Sequence, residues 1–318
     1  MWDFDFGRTL SLMFRTSPFI LLRMLVYFGI TFGYLAATGG GSAIGYGIGH
    51  VGDDPGSFAL WGGVIGFAMV SVILYWVREY ILYIVKAGHI AVLVDLMDGR
   101  DMPAGKSQID HASEVVRARF GETNVLFAMD QLIKGVIGAV TGLIGGIGAF
   151  LPIPGLQGLV RFVNTVIRIS LTYVDEVILA YNIRTNSQNP WESARQGLVL
   201  YAQNGRIMVK NALWLALMLY GLSIAIFIVM LAPMATLFYV LPSEIAGWSF
   251  VAAIVFAWAF KAAFLEPFAI AALMDVYFRT IQGQAPNPDW DRKLSDVSAR
   301  FRDIKDRALG ASGDAPAN

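Results

Sequence analysis

Six apolar runs, each long enough to cross a bilayer, constrain this chain more than any other feature. They lie at about 18–37, 58–87, 125–151, 157–183, 207–232 and 247–279. Each holds the roughly 20 apolar residues that a hydrocarbon core requires. Inside lipid, backbone N–H and C=O groups find no water, so such runs must be helical or part of a closed barrel. Runs of this length argue helix. The expected fold is therefore all-α and polytopic, with six transmembrane helices. Composition agrees, because only 15% of the 318 residues are charged, against about 25% in soluble domains.

Lys and Arg in the connections set the orientation, since they concentrate on the cytoplasmic side. The head carries Arg8 and Arg15, the connection 99–123 carries Arg100, Lys106, Arg117 and Arg119, and 184–206 carries Arg184, Arg195 and Arg206. The connections 38–57, 152–156 and 241–246 hold none. This alternation places both termini in the cytoplasm. The expected location is a bacterial inner (plasma) membrane, with the lipid bilayer as the first partner. The segment 39–50, GGGSAIGYGIGH, is expected to be a flexible external loop; its Gly45-Tyr46-Gly47 resembles a potassium filter only superficially, because no pore helix precedes it.

The order of segments repeats three times. Short amphipathic lead-ins at 6–18, 112–124 and 193–205 each precede a pair of spans. Six residues after Ser17, Asn124 and Asn204 stand Arg23, Asp130 and Lys210. Each pair ends in a polar break and a proline: DLMDGRDMP (95–103), YNIRTNSQNP (181–190), FRTIQGQAPNP (278–288). These features predict three hairpin repeats, about 1–103, 104–190 and 191–283, each led by an interfacial amphipathic helix. Residues 284–318 are expected to form one cytoplasmic amphipathic helix, about 288–309, built on Trp290, Leu294, Val297, Phe301, Ile304 and Leu309, and then a disordered tail.

The fourth run is too polar for lipid. Arg161, Asn164, Thr165, Arg168, Thr172 and Asp175 step by three or four and share one helical face, with Glu176 beside them. A charge at the bilayer centre costs roughly 2.5–3.5 kcal/mol on insertion scales, so this stripe must face protein or water. Other charges within the runs are Arg78 and Glu79, Asp130 and Lys134, and Lys261 and Glu266. Candidate pairs are Arg168 with Glu266, Arg78 with Asp175 or Glu176, and Lys261 with an acid. Such pairs serve either a solute route or helix register. Pro267 frees a carbonyl near Ala263 and marks a candidate hinge. Gly138, Gly142 and Gly146 form a smooth face in the third run.

Several classes are disfavoured. Zero formal net charge predicts no nucleic-acid partner, and the absence of Cys removes thiolate chemistry. His50, His89 and His111 are scattered, and no HExxH or GxSxG motif is present. No catalytic residue, metal site or cofactor is expected. Asp95, Asp98 and Asp101 read as a solvated helix end rather than a cation site.

Ala180-Tyr181, Ser193-Ala194-Arg195, Asn204, Met274-Asp275-Val276-Tyr277, Arg279 and Gly283 mark the stretch 175–290. In these features the stretch resembles the last hairpin of the choline transporter-like family of membrane proteins. It equally resembles small bacterial membrane proteins built from the same lead-in and hairpin. The resemblance implies a transport-type protein but does not carry choline, because no substrate-contacting residue maps by position. The expected function is transport or channel-like movement of a small zwitterionic or organic-cation solute along the fourth run. The alternative is an oligomeric scaffold or assembly factor, a homo-oligomer for example, whose intramembrane charges form a buried interface.

Overall fold

The computed structural model describes residues 2–103, 105–120, 125, 128–139, 171–240, 254 and 257–313, with the side chains of 76–80, 119–120, 234, 237–240 and 312–313 outside that description. The described residues are helical, with no strand among them. In order the helices are α1 (Phe6–Arg15), α2 (Ser17–Gly49), α3 (Pro55–Met97), α4 (Gln108–Phe120), α5 (128–139) and α6 (Val174–Thr185). They continue with α7 (Pro190–Gln203), α8 (Gly205–Val240), α9 (Ala257–Thr280), α10 (Pro288–Val297) and α11 (Ala299–Gly313). Among the described residues, four stretches are long and apolar enough to cross a membrane: Ser17–Gly49, Pro55–Tyr75, Gly205–Pro233 and Ala257–Thr280. The expected spans at 125–151 and 157–183 lie largely outside the described residues.

The chain divides into two units. The first comprises Met1–Ser17, Ala87–Ile224 and Leu265–Asn318; the second comprises Pro18–Lys86 and Ala225–Phe264. In the second, Tyr27, Leu82, Ala259, Ala262 and Ala263 form a buried cluster, with Trp258 edge-on to Tyr27 at 5.1 Å. The outward surface is apolar: Leu25, Phe32, Trp61, Ile73 and Val229 are all exposed. A soluble protein rarely carries so continuous an apolar surface, whereas a bilayer favours it.

The glycine-rich segment is not a loop. Residues 39–49 are the last three turns of α2, and the turn to α3 is only His50–Asp54, with Asp53 at φ 56°. Backbone packing is the reason. A Cβ on Gly41 would sit 2.2 Å from the Gly62 carbonyl oxygen, one on Gly62 2.1 Å from that of Gly41, and one on Gly66 2.1 Å from that of Ala37. The two helices therefore touch backbone to backbone, which only glycine permits and which suits lipid-embedded helices. By contrast, Gly138 of the third run has nothing within 4 Å of a Cβ; Gly142 and Gly146 lie outside the described residues.

In the first unit α9 is central. Pro267 through Phe278 are all buried, and α1 and α6 pack against this helix. A π-helical turn, Lys261–Leu265, precedes Pro267. A proline without an N–H and a π turn are both recognised causes of local irregularity in a helix. The division between the units passes through this turn.

The C-terminal segment forms two helices rather than one. Ser298 is fully buried and extended (φ −135°, ψ 113°), and its hydroxyl accepts from Phe301 N at 3.2 Å, starting α11. The break changes the buried face: Leu294, Phe301, Ile304 and Ala308 are inside, while Val297 and Leu309 are exposed. Residues 310–313, expected to be disordered, complete α11. Both helices pack on α7. Asp291 takes ion pairs from Arg195 and from Lys305, the latter at 2.7 Å. The Asn189 amide donates to Ala308 O at 2.7 Å, and Arg307 lies 5.0 Å over Trp191.

Two predictions follow from this packing. Gly62→Val forces the α2–α3 contact apart, with an overpacking cost of about 1–3 kcal/mol or more. Its thermal midpoint in detergent should fall by several degrees, whereas Gly39→Val, with open space at its Cβ, should leave the midpoint unchanged. The second concerns pH. Burial raises the Asp291 carboxyl, but hydrogen bonds from Lys305 and Arg195 outweigh it and hold its pKa below the ordinary value. The unfolded chain then binds more protons than the folded one, so this stabilisation is present at neutral pH and is lost as pH falls through the folded value. The hydrogen-exchange protection of α10 and α11, taken relative to the intrinsic rate at each pH, should fall below about pH 4. In Asp291→Asn it should be low already at pH 7.

Candidate functional site

Three helices end in a common way. Helix α3 stops at Met97 before Gly99 (φ 75°), α6 at Thr185 before Asn186 (φ 54°), and α9 at Thr280 before Gly283 (φ 74°). A residue in the left-handed region satisfies the last carbonyls and turns the chain out of the helix. All three ends, together with Arg8 of α1, border one open pocket of about 410 Å³.

Five charged side chains dominate its wall: Arg8, Asp98, Arg184, Asp275 and Arg279. Asp275, 6% exposed, accepts from Arg279 one turn later and lies 3.5 Å from Arg8 Nη1. Arg8 Nη2 also donates to Met97 O at 2.9 Å, and Arg279 Nη2 to Asp3 O at 2.6 Å. Arg184 reaches Asp98 at 2.8 Å through Nη2 and stacks on Phe278, 4.3 Å from guanidinium carbon to ring centroid. The other oxygen of Asp98 is 3.2 Å from Arg100, which also binds Asp95. His111 of α4 completes the chain at 2.8 Å from Asp95. Asp95 and Asp98 are thus held by cations. Three guanidinium groups face two carboxylates at the pocket, one positive charge in excess.

The N-terminal segment supports this wall. Asp3 N donates to Asn211 Oδ1 at 2.6 Å, the Asn211 amide returns a bond to Asp3 Oδ2 at 2.8 Å, and Lys210 lies 2.6 Å from the same oxygen. The Lys210 hydrogen bond, followed by that of Asn211, lowers the Asp3 pKa. Asp3 therefore joins α8 to Arg279 of α9. Beneath the pocket Tyr277 is fully buried, with its hydroxyl donating to Gly197 O at 3.0 Å.

The sequence-derived residues fall into three groups. Arg161, Asn164 and Arg168 lie outside the described residues, as do the side chains of Arg78 and Glu79, so the Arg168–Glu266 and Arg78–Asp175 pairings lie there too. Thr172 is exposed in a turn, Leu171–Tyr173, that precedes α6; the described end of the fourth run is a turn and then a helix, where one helix through 183 was expected. Asp175 and Glu176 occupy the first turn of α6, where the helix dipole favours acids. Both are buried, and Lys134 Nζ lies 3.7 Å from Asp175 and 2.7 Å from Asp130. Lys261 and Glu266 are half-buried on the two sides of the π turn, and Pro267 is buried.

The pocket itself was not singled out from the sequence. A signal was there: AVLVDLMD (91–98), VILAYNIR (177–184) and ALMDVYFR (272–279) align without gaps, and their last residues are Asp98, Arg184 and Arg279. The first halves of all three are buried. Comparison of the chain with family models, with curated proteins and with solved structures finds no match.

Asp275→Asn would leave Arg8 and Arg279 without their shared carboxylate. Breaking a fully buried pair costs about 3–5 kcal/mol. Because both arginines are about half exposed, a loss of roughly 2 kcal/mol is expected, read as a lower thermal midpoint and faster proteolysis near Arg8.

Proposed function

We propose that this chain is a transport-type integral membrane protein that moves a small zwitterionic or organic-cation solute. In this reading three αα-hairpins give six spans, both termini are cytoplasmic, and the membrane is a bacterial inner membrane. The open pocket is the cytoplasmic vestibule of a route whose membrane portion is the polar stripe of the fourth run, Arg161, Asn164, Arg168, Thr172, Asp175 and Glu176. The observation that carries the proposal is the meeting of three helix ends on one pocket of mixed charge. Three parallel repeats around an axis would bring equivalent residues together in this way, and Asp98, Arg184 and Arg279 are such residues. A mixed lining suits a solute that bears both signs. The likeness of 175–290 to the choline transporter-like family adds support of the same kind.

The scaffold reading has its own observation. Lys134 sits between Asp130 and Asp175, as charges do when they fix helix register. Flux separates the two. Proteoliposomes holding the full chain should take up labelled glycine, 4-aminobutyrate or tetramethylammonium faster than empty vesicles. Arg168→Leu should lower that uptake at least tenfold with little change in thermal midpoint. Uptake of all three solutes equal to that of empty vesicles would leave the scaffold; unchanged uptake in the variant would take the stripe out of the route.

A further inference from the structure

The pocket's three arginines do not have equal work. Arg8 bridges Asp275 and the Met97 carbonyl, and Arg279 bridges Asp275 and the Asp3 carbonyl. Each ties two parts of the chain together. Arg184 differs. Its Nη2 meets Asp98, whose second oxygen pairs with Arg100, and its guanidinium carbon lies over the Phe278 ring. Among the described residues Nη1 and Nε of Arg184 have no further acceptor. A guanidinium carries five N–H donors in a plane, in a fork that matches the two oxygens of a carboxylate or phosphate. Stacking on an aromatic ring fixes that plane while leaving its edge open. Gln282, exposed on the same wall, adds a neutral amide donor.

We propose that the pocket is an oxyanion-binding site in which Arg184, oriented by Phe278 and Asp98, receives the ligand's anionic group. The excess positive charge of the wall favours an anion over a cation at this point. The volume, about 410 Å³, admits a small organic acid or a headgroup-sized phosphate. The site deepens the transport reading, on which it rests for the pocket's role as a vestibule: it assigns the anionic end of a zwitterionic solute to Arg184. The same chemistry is offered by a soluble carboxylate and by the phosphate of a lipid headgroup.

Binding at equilibrium tests this without any need for flux. The full chain in an uncharged maltoside detergent is titrated with butyrate and with butylamine, followed by saturation-transfer NMR. Butyrate should bind saturably and butylamine should not. Arg184→Gln should weaken butyrate at least tenfold. Arg184→Lys, which keeps the charge but loses the fork, should fall between and carries the test if the glutamine variant does not fold. Arg307→Gln, on α11 away from the pocket, should bind as the native chain does. Repetition in phosphatidylcholine nanodiscs with and without phosphatidylglycerol identifies the source: displacement of butyrate by the anionic lipid assigns the oxyanion to a headgroup, and no displacement assigns it to a soluble solute. Equal butyrate binding in the native chain and both Arg184 variants, or equal binding of butyrate and butylamine, would overturn the proposal. Uptake and butyrate binding are separate readouts, so either proposal can fail alone.

Discussion

A carboxylate on the most buried helix is the constraint on which the first unit depends. Asp275 lies on α9 among side chains that see almost no solvent. A charge in such a place must be paired and hydrogen-bonded. It meets that need with Arg279 from its own helix and Arg8 from α1. The second arginine fixes where α1 lies, and α1 presents Phe6 to Phe268 of α9 at 5.2 Å between ring centroids. Through Asp3, Arg279 also fixes the first residues of the chain and reaches α8. One buried acid thus organises the N-terminus, the last apolar helix and one wall of the pocket.

The second unit shows a different device. Its hairpin α2–α3 is held by backbone contact at Gly41, Gly62 and Gly66. Between helices in lipid there is little hydrophobic driving force, so close approach and dispersion carry the association. The large side chains point outward, as a lipid-facing surface requires. Polar pairing around Asp275 thus orders part of the first unit, and close backbone packing of α2 on α3 orders part of the second.

The helical class, the approximate positions of α1, α4 and α7, and the ends of α3, α6 and α9 were legible in the sequence. Apolar runs, amphipathic spacing and Gly, Asn and Pro breaks are local signals, and local signals act wherever they occur. The glycine segment 39–49 was misleading for the same reason. Taken alone, glycine disfavours helix by about 1 kcal/mol per residue; opposite a second set of glycines it allows a contact that no other residue can make. The tail erred similarly. Helical spacing extends across Ser298, but burial of that hydroxyl over the start of α11 breaks the helix and turns Val297 and Leu309 outward.

The sequence by itself determined that this chain is helical and apolar enough to lie in a membrane, and where α3, α6 and α9 stop. Hydropathy and turn chemistry suffice for that, because each is a property of a short segment. Only the tertiary structure decided which charges meet. Arg8, Asp98, Arg184, Asp275 and Arg279 come from α1, α6, α9 and the end of α3, spread over 272 positions of the chain, and the aligned octets that hold four of them do not say where they meet. Their convergence depends on α9 being buried and on three helix ends turning out at one place, and it leaves Arg184 with an open edge toward a pocket.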